Sequence, residues 1–516
     1  MSIAPALHPP PRNAIAVKDS PQLPVPASLA SLLLTPLVLL VHGYHPFAGD
    51  AGIYVAGVRH LIDPTLYPLN AAFPAAFTRL SAFPWILAVL VRLSHAPLSW
   101  ILLAAHLLSI FLFLSACRQL AKRLFESELA TWSCVALAAA CFTLPIAGTA
   151  LFVMDPYVTA RSFSTPLSLM AISASIDRAW LRTVLLLILA AVIHPLMAAY
   201  AIAFIVLHAL IASGRIRVAL SLCAAAAAAC GIAFALAHGA PIDPSYRQAV
   251  SLPPRTFLFL PRWQWYELLG LALPLLLFAL ALRSFGAATR KGALCLTCLL
   301  LGATSIVIAA AFVPPAGPYP LVPLQVLRSF HLIYLSGLIL SGGVLARLAA
   351  RSRFAAISLV VLLCAGMFAA QRFTWTGSHV EWPGARPANP WQQAFLWIRD
   401  NTPHGAVFTF NPQLVYQPEE NEQGFRAIAE RDHLADDKDA GIVAVLPQLA
   451  DRWALQRYAE LNVDGMTDAE RLNKLGAVGA TWLLLPPDAA TELPCPFSNN
   501  VVKACRLAAA PGFSKP

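Results

Sequence analysis

The chain has 516 residues, of which 58% are hydrophobic and only 12% are charged, and its mean hydropathy is +0.66. Soluble domains carry about twice that share of charged residues, so the composition excludes a soluble globular protein and indicates a polytopic membrane protein. The formal net charge of +10 does not indicate a nucleic-acid partner, because the basic residues form short clusters between apolar runs, as the positive-inside rule describes.

The start of the chain predicts a tail and an anchor. Residues 1–26 are rich in proline and weakly basic, which predicts a disordered cytoplasmic tail, and the next apolar run predicts an uncleaved anchor helix. Length and hydropathy predict about 11 spans in all. They lie at 27–41, 98–116, 129–148, 164–178, 182–194, 196–212, 216–238, 265–282, 292–312, 325–346 and 354–371.

The orientation depends on where the basic clusters fall. Five clusters face the cytoplasm if the N-terminus is inside, and the longer loops then face outward. This topology requires that residues 83–92 form a half-embedded helix on the outer surface. It also requires that residues 184–210 form two helices that turn at His194 and Pro195, since proline removes a backbone donor. The predicted transmembrane domain covers 27–372, with outer-loop helices at 43–97.

The composition becomes polar at about Phe373, which predicts a separate extracytoplasmic domain at 373–516. Residue spacing predicts helices at 390–402 and 467–475 and strands at 406–410 and 480–485, an alternation typical of a small α/β domain. In an oxidising compartment Cys495 and Cys505 can form a disulfide. The other eight cysteines lie in or beside apolar runs and are interpreted as packing residues.

The polar loop after the first predicted span, residues 43–54, is the most informative stretch. Asp50 is the first acid beyond that span, and Gly49 and Gly52 leave the backbone beside it open to close approach. Tyr54 follows one helical turn later and is a residue type common at headgroup depth. A carboxylate in this position can act on a lipid-borne headgroup. The alternative is that Asp50 only caps the next helix.

Further candidate site residues are arginines and their neighbours in the predicted outer regions. A guanidinium group binds phosphate in a bidentate manner, and an intramembrane cation is costly unless it is used or paired. Arg328 and His331, one turn apart at the start of a span, are the strongest pair. The other predicted substrate-binding residues are His45, Tyr54, Asp155, Arg161 and His194, with Arg247 and Arg255 as further phosphate ligands.

Each candidate has a structural alternative. Asp155 can belong to a turn that pairs with Arg161, His194 can serve only to break a helix, and Arg255 can be an anchor at the membrane interface. The cofactor is unknown from the sequence. A divalent cation held by His42, His45 and Asp50 is one option, on ligand type alone.

The order of these segments resembles the GT-C class of membrane glycosyltransferases. The shared layout covers about residues 27–371. It begins with an anchor span and an outer loop that contains an acid, and it continues with a short helical hairpin that turns at a polar residue and proline. A soluble domain follows the last span. The resemblance implies a GT-C-like fold, a lipid-linked sugar donor and an essential acid in the first outer loop, which Asp50 matches by position. Many members have two adjacent acids there, whereas Gly49 precedes Asp50 here.

We therefore expect a bacterial inner-membrane glycosyltransferase that uses a polyprenyl-phosphate-linked sugar on the outer face, with Asp50 as the base. Membrane lipid and the lipid-linked sugar are the expected partners. The alternatives are a transporter or flippase of a lipid-linked substrate and a non-enzymatic membrane scaffold. An enzyme should gather Asp50, Asp155 and the arginines around one outward cavity, whereas a transporter should show a mid-membrane cavity and an internal repeat, and the sequence contains no evident repeat.

Overall fold

The computed structural model describes residues 26–417 and 420–507, so nearly all of the predicted tail at 1–26 lies outside the described residues. The membrane part is mostly helical. Its helices are α1 (Ala27–His42), α2 (Asp50–Ile62), α3 (Ala76–Leu80), α4 (Phe83–Ser94), α5 (Leu98–Leu124), α6 (Glu128–Ala140), α7 (Ala160–Ile176), α8 (Trp180–Ile193), α9 (Pro195–Ala212), α10 (Ile216–Ala237), α11 (Pro244–Ser251), α12 (Trp265–Phe285), α13 (Arg290–Phe312), α14 (Phe330–Arg351) and α15 (Arg353–Thr374).

Helix length and composition confirm a multi-pass helical membrane protein. Within the described residues, seven helical segments are long and apolar enough to cross a membrane: α5, α9, α10, α12, α13, the segment Val322–Arg351 that contains α14, and α15. Shorter apolar helices correspond to α1, α4, α6 and α8. Helices α10, α12 and α15 leave most of their side chains exposed, as lipid-facing helices do. The full count of 11 spans stays a prediction.

One predicted span is wrong in extent. The run 129–148 forms helix α6 only as far as Ala140, and the chain then enters a short antiparallel hairpin of β1 (Pro145–Ile146) and β2 (Leu151–Phe152). Pro145 cannot donate a helical hydrogen bond, and Gly148 adopts a φ of +62° in the turn. Hydropathy does not register either effect, so the apolar run appeared continuous.

One other prediction about this part is confirmed, and one stays a prediction. Helix α4 has 12 residues, about 18 Å of helix, and its half-embedded position on the outer surface stays a prediction. The run 184–210 breaks into α8 and α9 at His194, whose Nδ1 accepts a hydrogen bond from the Met197 amide at 3.4 Å. This break places the His194 ring at the end of the helical pair, beside the start of α7.

The C-terminal part is a small domain around a mixed sheet. Its elements are α16 (Pro390–Asn401), β3 (Val407–Thr409), α17 (Phe425–Ala429), β4 (Asp432–His433), α18 (Ala440–Val443), α19 (Ala450–Glu460), α20 (Asp468–Ala477), β5 (Trp482–Leu485), β6 (Phe497–Ser498) and β7 (Lys503–Arg506). The strand order is β4-β3-β5-β7-β6, with β3 parallel to β4 and β5, and β7 antiparallel to its neighbours. The four elements predicted here are confirmed as α16, β3, α20 and β5. A disulfide joins Cys495 and Cys505.

The C-terminal domain is held against α2 and the loop after it. Asp432, which is fully buried, accepts hydrogen bonds from the backbone amides of Leu69 and Asn70 at 2.8 Å. Arg59 of α2 forms an ion pair with Glu430 at 2.6 Å. These contacts hold the domain against the C-terminal end of α2 and the loop after it.

A close approach between the backbones of α2 and the domain depends on glycine. A Cβ atom added to Gly52 would lie 2.7 Å from Cα of Gly424 and 2.9 Å from the carbonyl oxygen of Phe47. Both are backbone atoms, which cannot move as a flexible side chain does. The absence of a side chain at Gly52 therefore allows the domain to seat on α2.

We expect Gly52→Val to lower the free energy of unfolding by about 1–3 kcal/mol, because overpacking forces the two backbones apart. The measurement is thermal unfolding of the purified protein in detergent. Gly366→Val in α15 is the matched control, since a Cβ atom there meets nothing within 4 Å. If both variants unfold at the same temperature, the close contact does not stabilise the domain's position.

Candidate functional site

A cavity of about 700 Å³ lies between the membrane helices and the C-terminal domain. This volume is within the range of small-molecule sites, about 300–1,000 Å³. Its apolar wall includes Ile53, Leu80, Ile193 and Phe257. Its polar lining consists of Asp50, Tyr54, Ser81, Tyr157, Arg161, His194, Arg255, Thr256, Glu267, Gln325, Arg328, Tyr416, Glu422 and Lys438. The cavity is thus rich in cations and lies at one end of the helical bundle, which we call the cavity end.

Asp50 is the accessible carboxylate at the start of α2. Gly49 occupies the N-cap position of α2 and Asp50 is the first helical residue, so Asp50 is not the N-cap residue that the cap-only alternative describes. About 47% of that side chain is open to the cavity, and Oδ2 lies 3.8 Å from Nη1 of Arg161. Asp50 is therefore held near a guanidinium group while keeping room for a substrate.

The charges around the cavity keep Asp50 ionised. Burial is the largest single influence and raises its pKa, but attraction to Arg161, Lys438, Arg328 and Arg255 together outweighs burial and lowers the pKa below the ordinary value for aspartate. An ionised carboxylate can accept a proton from a hydroxyl group. The same cations would attract an anionic substrate to the place where that proton is removed.

Arg161 is positioned by Asp155. Its Nη2 donates to both carboxylate oxygens of Asp155, at 2.9 and 2.8 Å, and both side chains are almost fully buried. The structure thus contains the ion pair between Asp155 and Arg161 that the sequence offered as an alternative. Arg161 also lies near Asp50. Asp155 lies behind Arg161 rather than in the cavity lining. It orients the guanidinium group and does not itself meet a ligand.

Arg328 lies in the 3₁₀ turn Val326–Ser329 that precedes α14. Its guanidinium carbon lies 5.3 Å from the centre of the Phe257 ring, and its buried Nε has no hydrogen-bond partner. Across residues 26–417 and 420–507, no carboxylate forms an ion pair with it. Arg328 is therefore a cation at the edge of the membrane region whose charge is available to a bound anion.

The C-terminal domain supplies part of the cavity lining. Lys438 pairs with Glu422 at 3.0 Å, and Nη2 of Arg255 donates to the carbonyl oxygens of Asp437 and Lys438 at 2.9 Å. Burial has the largest influence on the pKa of Lys438 and lowers it. The nearby carboxylates of Glu422 and Asp50 raise the pKa, and the net result lies above the ordinary value for lysine. Arg255 thus joins the domain to the cavity wall.

Besides Asp155, two more predicted substrate-binding residues do not reach the cavity. Nδ1 of His45 lies 2.9 Å from Oε1 of Glu381, and its ring stacks on Trp375 with centroids 4.5 Å apart. Nε2 of His331 lies 3.0 Å from the Val153 carbonyl oxygen. Both are corrections to the sequence-based prediction, because buried neighbours hold each imidazole in the protein interior. The predicted phosphate ligand Arg247 is exposed on α11 and also lies away from the cavity lining.

The predicted cation site at His42, His45 and Asp50 does not assemble. The His42 ring nitrogens lie 2.8 Å from Oγ1 of Thr143 and from the Ala139 carbonyl oxygen. His45 is held by Glu381, and Asp50 faces the cavity. Among the residues that the structure describes, no group of three or more His, Cys, Asp or Glu side chains is arranged to hold a metal ion.

Sequence reasoning missed several cavity residues. Lys438, Glu422 and Tyr416 come from the C-terminal domain, and Tyr157 follows the Asp155 turn. Lys438 lies in a run of acids, Asp436-Asp437-Lys438-Asp439, which reads as an ordinary solvated stretch. Nothing in the sequence indicates that this run folds against Asp50.

No protein-family model matches this chain, and a search of curated proteins finds no match in sequence. The fold and the site alone therefore define the class of protein. It is a helical multi-pass membrane protein whose basic cavity contains an accessible carboxylate and is closed on one side by a small mixed-sheet domain.

Proposed function

We propose that this protein is an inner-membrane glycosyltransferase of the GT-C type that uses a polyprenyl-phosphate-linked sugar donor. The observation that carries the proposal is the placement of Asp50. Its open carboxylate lies 3.8 Å from Arg161, in one cavity with Arg255, Arg328 and Lys438. A base beside a cluster of cations is what transfer from a phosphate leaving group requires.

The unpaired arginines favour a phosphate over a neutral ligand. Arg161 pairs with Asp155 and Lys438 pairs with Glu422, whereas no ion pair holds Arg255 or Arg328 among the described residues. The carboxylates of Asp50 and Glu267 also line the cavity, so an anion would bind at the guanidinium groups and not at the cavity as a whole. Arginine also matches phosphate geometry through its planar set of donors.

The position of the cavity favours a donor with a lipid tail. The site lies at the ends of the membrane helices, and Leu80 and Pro195 are exposed at its apolar side. A phosphate bound near Arg328 can therefore remain attached to a chain in the hydrocarbon layer. A water-soluble donor would gain nothing from that apolar wall.

The proposed reaction is a single displacement. The acceptor hydroxyl oxygen bonds to the anomeric carbon as the bond from that carbon to the phosphate oxygen breaks. Asp50 takes the hydroxyl proton, and the polyprenyl phosphate leaves with its negative charge stabilised by Arg161 and Arg328. One displacement inverts the anomeric configuration of the transferred sugar.

The disulfide supports placing the C-terminal domain in the periplasm. Disulfides persist in oxidising compartments, and Cys495 and Cys505 are bridged. The basic residues at the opposite end of the bundle, such as Arg290, Lys291 and Arg347, suit the cytoplasmic side. On this topology the cavity opens on the outer face, where lipid-linked sugars are presented.

The test is donor turnover by the purified protein in liposomes made with native membrane extract. Polyprenyl-phosphate sugars carrying labelled sugar are supplied, and free polyprenyl phosphate and labelled product are measured. We expect release of polyprenyl phosphate that depends on the protein, and no use of nucleotide sugars. Movement of intact donor across the bilayer without cleavage would instead indicate a flippase, and no turnover of any lipid donor would refute the proposal.

The pH dependence of the two kinetic constants should differ. The low pKa of Asp50 keeps it ionised in the free enzyme, so the acid limb of kcat/KM should lie below the ordinary aspartate range. A bound phosphate neutralises Arg161 and Arg328 and places negative charge beside Asp50, which raises its pKa. The acid limb of kcat should therefore lie at higher pH than that of kcat/KM. If the acid limbs of kcat and kcat/KM fall at the same pH, Asp50 and the bound phosphate do not share these arginines.

A further inference from the structure

A second cavity lies between α6, α12 and α14, with a volume of about 680 Å³. Its walls are almost wholly apolar, formed by residues such as Leu277, Phe278, Ile333 and Val344. Leu277 and Val344 are 64% and 57% exposed, so the cavity opens sideways to the surroundings of the helices. In a membrane those surroundings are acyl chains, and we call this cavity the lateral groove.

The lateral groove has a cationic end. Lys291, near the start of α13, and Arg347, near the end of α14, both line it, together with Ser127 and Ser284. This end is opposite the cavity end, because Arg328 precedes α14 and Arg347 lies almost at its last turn. The helix between them is about 25 Å long at 1.5 Å per residue.

Neither cation is neutralised by the protein. No carboxylate forms an ion pair with Lys291 or Arg347 in the described ranges 26–417 and 420–507. The Lys291 ammonium instead lies over two aromatic rings, 4.4 Å from the centre of Phe125 and 5.4 Å from that of Phe285. This aromatic pair fixes the charge beside the groove while leaving it free for an external anion.

We infer that the lateral groove binds one anionic glycerophospholipid, with its phosphate between Lys291 and Arg347 and an acyl chain along α12 and α14. Two unneutralised cations at the end of an apolar groove match an anionic headgroup above a hydrocarbon tail. The serine hydroxyls of Ser127 and Ser284 add polar groups at headgroup depth. The site is separate from the Asp50 cavity, and it does not depend on the proposed transfer reaction.

Gly337 provides a way to fill the groove without disturbing the fold. A Cβ atom there would approach only Phe278, at 3.7 Å, which is an ordinary contact. Gly343 differs, since a Cβ atom would lie 2.4 Å from the Phe125 ring. Gly337→Leu therefore places a side chain in the space that an acyl chain would occupy.

The experiment measures lipid binding to the purified full-length chain by native mass spectrometry, with phosphatidylglycerol and phosphatidylcholine as probes. We expect wild type to retain one phosphatidylglycerol in preference to phosphatidylcholine. The double variant Lys291→Gln/Arg347→Gln should bind phosphatidylglycerol about 30-fold more weakly, as expected for two cations near a phosphate. Gly337→Leu should lose the bound lipid as well.

The matched control is Arg283→Gln/Arg351→Gln. It removes the same charge from the last turns of α12 and α14, but neither residue lines the groove. The control should change binding less than about twofold, within the range of surface charge effects. Equal loss in both double variants would show general surface attraction and overturn the inference. Loss with Gly337→Leu alone would mean that the groove holds a different hydrophobic chain, and it would overturn the inference too.

Discussion

Replacing Asp50 with asparagine is expected to slow sugar transfer by about 10²–10⁴-fold, the usual contribution of a general base. The amide keeps the size of the side chain but cannot accept the hydroxyl proton. Donor binding should be retained or become tighter, because the substitution removes a negative charge from a cavity with Arg161 and Arg328. Steady-state kinetics should therefore show a fall in kcat without a rise in KM.

The control for Asp50→Asn is Asp63→Asn. Asp63 follows the last residue of α2 and is half-buried, and its carboxylate accepts hydrogen bonds from the amide and hydroxyl of Thr65. The Asp63→Asn variant therefore changes the same kind of side chain next to the same helix without touching the cavity. This variant should transfer sugar at the wild-type rate. Wild-type activity in Asp50→Asn would remove Asp50 as the base.

Arg161→Gln is expected to be the most destabilising single change at the site. It leaves the carboxylate of Asp155 buried without its cation, which costs about 3–5 kcal/mol in comparable buried pairs. Thermal unfolding in detergent should show this as a large fall in the unfolding temperature. Transfer activity should be lost at the same time, since Arg161 also lies beside Asp50.

A second substitution separates these two effects. Arg161→Gln/Asp155→Asn removes the unpaired charge, so it should recover much of the lost stability but none of the activity. Arg123→Gln is the control for breaking an ion pair, because its partner Asp177 is 40% exposed and exposed pairs contribute about 0–1 kcal/mol. Recovered activity in the double variant would show that Arg161 has only a structural role.

The sequence predicted those features that depend on local composition. Apolar runs predicted a helical membrane protein, and the pairing of His194 with Pro195 predicted the break between α8 and α9. Asp50, Arg161 and Arg328 are predicted site residues because each lies beside the end of an apolar run. Such ends meet at one level of a helical bundle, and the structure brings these side chains to one cavity.

The remaining features depend on contacts between distant parts of the chain. His45 carries the same chemistry as His194, but Glu381 and Trp375 pack against it after the last membrane helix, and no local pattern shows this. Lys438 and Glu422 reach the cavity only because the C-terminal domain seats on α2. The hairpin β1–β2 replaces the end of the predicted span 129–148 because Pro145 and Gly148 outweigh hydropathy.

The most direct test of the central claim is a cryo-electron microscopy structure of the protein with a non-cleavable polyprenyl-phosphonate sugar. We expect the phosphonate within hydrogen-bond distance of Arg328 and Arg161, and an Asp50 carboxylate oxygen facing the anomeric carbon across a gap that admits a hydroxyl group. Density for the analogue in this cavity with its phosphonate away from both arginines, or in another part of the protein, would contradict the account.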